Sequence, residues 1–218
     1  MQPTSAEAPE WVGFGYGELA YLLGQIANPS SKKAADLINL AEEEISDSAM
    51  RAGVSSLAAR GLLVPADDGT VVPDGAASLL TYVIVEGVHW TEIGFMSTRD
   101  EVADGAILIQ APAFTVLLQP RNFGVWVMVA KDPVIAAAEA VFALIDSFVA
   151  AHPGGATFIH AQTLDADATL FVRRVDHGLW EIARGASVAG DESKEDSVDP
   201  DAVLGALRRI LDVGAPNG

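Results

Sequence analysis

Thr115-Val-Leu-Leu-Gln-Pro-Arg-Asn-Phe-Gly-Val-Trp-Val-Met-Val-Ala130 is matched, without a gap, by Thr169-Leu-Phe-Val-Arg-Arg-Val-Asp-His-Gly-Leu-Trp-Glu-Ile-Ala-Arg184. The stretches stand 54 residues apart, and this offset superimposes Trp126 on Trp180, Gly124 on Gly178 and Asn122 on Asp176. Each is two apolar runs around a turn on Asn-Phe-Gly or Asp-His-Gly, which predicts a β-hairpin. An Asp-Pro pair follows each copy, at Asp132-Pro133 and Asp199-Pro200, and opens a helix, where proline gives up no hydrogen bond. These pairs lie 67 residues apart, so the second copy carries a 13-residue acidic insertion before its helix. The expected unit is a three-stranded meander followed by a helix, used twice.

Working outward, strands are predicted at 81–86, 89–97, 105–110, 113–120 and 123–130, then at 157–163, 168–175 and 178–184. The helix after Asp132 should bury Ile135, Phe142, Ile145 and Val149, because Glu139 and Asp146 share the opposite face. The last helix should bury Val203, Leu207, Ile210 and Leu211. Residues 185–198 read as a solvated loop. Residues 1–10 read as a polar arm.

Three short helices precede the strands. One runs from Glu18 to Ala27 and stops at Asn28-Pro29-Ser30. A second spans Lys32 to Glu44, burying Leu37, Leu40 and Ala41 while Glu42, Glu43 and Glu44 face water. A third is capped by Ser46, carries Met50, Val54 and Leu57 at helical spacing, and ends at Arg60-Gly61. Leu62-Leu63-Val64 and Thr70-Val71-Val72 then flank a hairpin turn at Asp67-Asp68-Gly69, with a helical turn near Ala76–Leu80. Three helices and a small hairpin form a winged-helix-like order. The fold class is therefore α+β, with a winged-helix-like segment over 11–80, a first sheet-plus-helix unit over 81–152, and a second over 153–213 that forms one compact domain with the first.

The formal net charge is −17, and residues 1–80, 81–185 and 186–218 contribute −7, −6 and −4. An acidic balance in every part of the chain argues against a nucleic-acid partner, whose phosphates need clustered Lys and Arg. The absence of cysteine excludes disulfides, iron–sulfur clusters, thiolate zinc sites and cysteine nucleophiles. The first residues lack the order of a signal peptide, and no apolar run reaches the ~20 residues of a membrane helix. A cytoplasmic protein is expected.

No constellation identifies a reaction. Trp126 and Trp180 read as core, since equivalent positions of a repeat should meet equivalent surroundings. Gly13-Phe-Gly-Tyr-Gly17 has Glu18 where a dinucleotide loop needs glycine, and a polar arm in place of the preceding strand. His89, His152, His160 and His177 show no metal-ligand spacing, although His89 and His160 could converge with a carboxylate on a strand surface. Asp165-Ala-Asp167 lacks the rest of a calcium loop, and Ser187 lies outside a nucleophile elbow. His177 reads as an exposed turn residue. Arg173 and Arg174 adjoin in one strand and should face opposite ways, one to solvent and one to an edge or partner. With Lys32-Lys33 and Arg208-Arg209 they are the basic doublets, and none makes a stripe. Catalytic, cofactor-binding and metal residues are expected to be none, and no cofactor is expected.

Ala59-Arg-Gly-Leu62, Asp68-Gly-Thr-Val71 with Pro73, Leu79-Leu80, Gly124-Val-Trp-Val-Met-Val129 with its Asp-Pro helix, and the second round at Gly178 and Asp199 resemble the EspG-type chaperones of type VII (ESX) secretion in actinobacteria. That resemblance implies an α+β sandwich with an internal sheet-plus-helix repeat. It also implies a non-enzymatic cytosolic role, keeping a helical protein partner soluble before export. The segment 45–63 resembles the recognition-helix region of bacterial winged-helix regulators, which implies the alternative of a transcription regulator with a C-terminal sensing domain.

Overall fold

The computed structural model describes residues 11–40, 46–97, 102–131, 134–175, 178–185 and 193–211. Its centre is a nine-stranded antiparallel sheet in the order β1-β7-β6-β5-β4-β8-β9-β10-β11. In chain order the strands are β1 (Val12–Gly15), β4 (His89–Met96), β5 (Val102–Gln110), β6 (Thr115–Arg121), β7 (Val125–Ala130), β8 (Ala156–Gln162), β9 (Asp167–Arg174), β10 (Trp180–Gly185) and β11 (Ser193–Val198). β2 (Leu63–Pro65) and β3 (Val71–Pro73) form a separate hairpin. The helices are α1 (Tyr16–Gly24), α2 (Pro29–Leu37), α3 (Asp47–Ala59), α4 (Gly75–Glu86), α5 (Ala137–Ala151) and α6 (Pro200–Leu211). The α+β class and the two meander-plus-helix units are therefore present. No described helix is long and apolar enough to cross a membrane.

Each unit has four strands where the repeat was expected as a three-stranded meander, although all four of the first unit stand at predicted segments. The correction comes from β11, which occupies the end of the presumed acidic loop and pairs with β10. Residues 186–192 lie outside the described residues. β4 and β8 meet at the sheet centre with Ile93 opposite Ile159, so the units repeat at about the Asp-Pro spacing, not at 54. The 54-residue offset aligns β6–β7, third and fourth from the centre, with β9–β10, second and third. The matched tryptophans therefore occupy different surroundings. Trp180 is fully buried, whereas Trp126 is half-buried and only flanks a core.

Strand alternation sorts the apolar side chains onto two cores. Ile107 and Ile109 of β5 join Trp90, Val116, Leu118, Met128 and Phe14 beneath α1, α2 and α4. Ala106 and Leu108 face the other way, with Ile93, Phe95, Ile159, Leu170, Val172, Trp180 and Ile182 beneath α5 and α6. The two helical layers thus cover opposite faces of different halves.

Several local expectations are corrected. Residues 81–86 are helical, the second half of α4, because Ala77, Leu80 and Ile84 recur at helical spacing and bury against the sheet. Packing there overrides the β-propensity of Tyr82-Val-Ile-Val85. α2 begins at Pro29 because Asn28 accepts from Ser31 N at 2.7 Å, so the stop signal of α1 is also the start of α2. It ends at Leu37, ahead of Asn39 in the left-handed region; the expected continuation through Glu42–Glu44 lies outside the described residues. β1 continues from Trp11 as an edge strand on β7. α5 starts at Ala137, so Ile135 precedes the helix and is exposed, while Val141, Ile145 and Val149 carry its core face. Asp132 and Pro133 lie outside the described residues. Asp199 does cap α6, accepting from Ala202 N at 2.8 Å.

α1 and α3 cross with almost no space between backbones. A Cβ on Gly53 would stand 1.9 Å from the Gly17 carbonyl oxygen. Gly205, in α6, has only an Arg209 side-chain tip at 3.8 Å from such a Cβ. Gly53→Ala should therefore destabilise the fold by at least ~2 kcal/mol through backbone displacement. Gly205→Ala should stabilise it by about 0.5–1 kcal/mol through helix propensity. Paired urea denaturation curves check both signs; equal effects would refute the close crossing.

Candidate functional site

On the side that carries α1, α2 and α4, the sheet is left without helical cover among the described residues on the face of β8, β9 and β10 opposite α5 and α6. Its residues are half-buried or exposed, in alternation with fully buried ones. The register lines them up in rows. One row runs Gly105–Gly94–Phe158–Phe171–Ala183, each paired with the next. Phe158 and Phe171 rings pack at 5.0 Å. Pro120 and Trp126, paired on β6 and β7, extend the row past β5.

Where the two glycines oppose each other the row sinks into a trough of about 200 Å³, lined by Leu37, Glu92, Gly94, Gly105, Ile107, Pro120, Trp126 and Phe158. Both glycines matter as floor: a Cβ on Gly94 would rise toward the Phe158 ring at 3.8 Å. Leu37 forms a wall because it ends α2.

A polar cluster borders the trough. Gln162, almost fully buried, accepts from Lys33 Nζ of α2. Its Nε2 donates to Glu92 Oε1 at 2.6 Å and lies 3.0 Å from His160 Nδ1. His160 Nδ1 is 3.3 Å from Glu92, and its Nε2 is 3.1 Å from Asp167. The two carboxylates sit on opposite ring nitrogens, so they orient the imidazole and do not converge on one ligand position. No group of three or more metal-ligating side chains occurs among the described residues. On the next row Arg173 binds Glu181 at 2.6 Å.

The arginine doublet faces opposite ways as expected. Arg173 lies on the open face, while Arg174 reaches Asp146 of α5 at 3.3 Å and stacks over Trp180. His89 does not converge with His160: it is buried and alternates onto the other face of β4 from Glu92. His152 stacks on Phe148 at the end of α5. Asp165 lies in the β8–β9 turn. His177, Asp176 and Ser187 lie outside the described residues.

The glycine-rich entry also resolves. Val12–Gly15 of this stretch is itself a strand, while the expected polar arm at 1–10 lies outside the described residues, and a cavity of about 390 Å³ opens beside Gly13, Gly15, Gly17, Gly53 and Arg60. Glu18 fills the place an anion would take. Its Oε2 accepts from Gly15 N at 2.9 Å, Ser56 Oγ donates to Oε1 at 2.8 Å, and Arg60 Nη1 donates to both oxygens. The helix N-terminus is thus neutralised from within.

Of the trough residues the sequence pointed to Trp126 and Leu37, and assigned both to buried positions. Leu170-Phe171-Val172 is a continuous apolar run, yet Leu170 and Val172 are buried while Phe171 between them is only half-buried. The usable signal was Phe158, His160 and Gln162 alternating with Thr157, Ile159 and Ala161. No family model matches this chain, and no curated protein matches it.

Gln162 ties α2 to β4 and β8, and its removal leaves Glu92 and Lys33 short of a buried partner. Gln162→Ala should cost about 1–3 kcal/mol, read from chemical denaturation. A loss below ~0.3 kcal/mol would mean that the cluster is solvated.

Proposed function

We propose that this chain is a non-enzymatic protein-binding module whose open sheet face receives an apolar helical segment of another protein. The single observation that carries the reading is the row from Trp126 to Ala183. It crosses seven strands, six intervals of ~4.8 Å, or about 29 Å. A helix of about 19 residues has that length at 1.5 Å per residue, and an apolar strip that sinks into a trough at its glycine pair suits the docking of an amphipathic helix. The same role is implied by the resemblance to EspG-type secretion chaperones: holding a helical client soluble in the cytosol. Ion pairs at the rim and aromatic rings along the floor match the polar rim and apolar centre of protein interfaces.

The transcription-regulator reading is weaker on physical grounds. α3 would be the recognition helix, yet Arg60 is spent on Glu18 and Arg51 folds back on Asp47. The tip of the β2–β3 hairpin presents Asp67 and Asp68. Thr70 donates to Asp68 and holds its carboxyl below the usual carboxylate range, so it stays charged against phosphate.

Phe171→Lys, which places a charge mid-row without touching either core, should leave the melting temperature within a few degrees and weaken capture of a helical client at least tenfold. Isothermal titration of the chain with proteins that co-purify from its host tests this, and undiminished affinity in the variant would overturn the site. Duplex DNA should show no mobility shift even at low salt; a salt-sensitive shift would revive the regulator.

A further inference from the structure

The β6–β7 hairpin tip carries a ring that its own chain leaves uncovered. Phe123 is fully exposed and holds φ 66°, ψ 27°, a left-handed conformation that strains any residue with a Cβ. Gly124 follows at φ 68°, and with Arg121 paired to Val125 the loop is Asn122, Phe123 and Gly124 with Phe123 at its middle; among residues with a side chain, asparagine takes this left-handed conformation most readily. Asparagine stands one position too early, at Asn122. A phenyl group thus occupies a place where asparagine would be less strained and better solvated. Strain of this kind is retained where a side chain is used.

A receptor for the ring lies close by. Pro120 and Trp126, on the two arms of the same hairpin, line the glycine-floored trough of about 200 Å³. A dry cavity of ~150 Å³ is enough to hold benzene, so the trough has room for one phenyl group.

We propose that a second copy of this chain supplies it: two chains meet about a twofold axis, and each Phe123 enters the other's trough. Tip and trough belong to one hairpin, so a single axis closes both contacts and leaves none open to propagate a filament. Charge permits the meeting. The chain is strongly acidic, yet around the trough Lys33, Arg121 and Arg173 stand against Glu92, Asp104 and Glu181. Arg121 and Asp104, 3.8 Å apart and both half-exposed, form a self-complementary pair at the mouth. The open face measures about 29 Å by ~20 Å, near the lower end of what a specific interface buries per partner. The dimer is therefore weak and reversible. This inference goes beyond partner binding and stands without it, since a chain that binds no client would still dimerise.

Sedimentation equilibrium of the full chain over a concentration series should give a monomer–dimer equilibrium with a Kd on the order of micromolar. Added salt should tighten it, because distant acidic charges are screened while the contact itself is balanced. Phe123→Asn should be monomeric throughout and melt a few degrees higher, since the turn is relieved of strain. Gly94→Leu, which fills the trough, should also be monomeric. Mixing the two variants should restore a weaker dimer, because the Phe123 of one meets the open trough of the other. Wild-type protein that stays monomeric, Phe123→Asn that dimerises as well as wild type, or folded variants that fail to associate when mixed would each overturn the proposal.

Discussion

Antiparallel pairing of β4 with β8, Ile93 opposite Ile159, is the constraint on which the remaining architecture depends. It joins two meanders into one sheet, and the two-residue period of a strand lets register decide which side chains meet which helices. A slip of one residue would send Ile159 and Ala161 to the open face and drive Phe158 and His160 under α5. The same pairing sets Glu92 beside His160 and Gly94 beside Phe158. Core, polar cluster and trough are consequences of one alignment.

The sheet carries helices on opposite faces of its two halves, and β5 makes the exchange possible. Ile107 and Ile109 point to one layer, Ala106 and Leu108 to the other, so this strand is buried on both sides near the sheet centre. Strands further from the seam have cover on one side only. On β8–β10 the uncovered side contains aromatic rings, where an antiparallel sheet facing water would ordinarily carry polar residues. Glu139 shows how the covered side is locked: it takes the Arg208 guanidinium of α6 at 2.5 Å, and that hydrogen bond holds its carboxyl below the usual range. Stability from this pair is present above the ordinary carboxylate pKa and fades as pH falls through the lowered value.

Much of this fold is legible in the sequence where local signals and tertiary demands agree. The hairpins β6–β7 and β9–β10, the cap at Asp199 and the left-handed glycine ending α3 follow from turn and cap chemistry. Where they disagree, the sequence misleads. Tyr82-Val-Ile-Val85 has strand composition but helical burial. Ser193–Val198 has the composition of a solvated segment, yet completes the sheet through backbone hydrogen bonds that side-chain polarity does not report. The site was the least legible part, because its elements are glycines facing one another across strands and rings on a side that no described helix covers. Neither is visible until strand order is known.

The two similar hairpins illustrate how position along a sheet overrides sequence likeness. Their tryptophans align in sequence, yet one hairpin lies a strand nearer the seam. Trp180 therefore falls beneath α5 and α6, where Phe142 packs against it, and it is wholly interior. Trp126 falls one strand further out, past the glycine pair, where it borders the core beneath α1, α2 and α4 and is only half-buried. Burial on both sides would have made the two hairpins interchangeable structural members. The unequal distance from the β4–β8 seam instead leaves one indole in the core and turns the other into the wall of a binding surface.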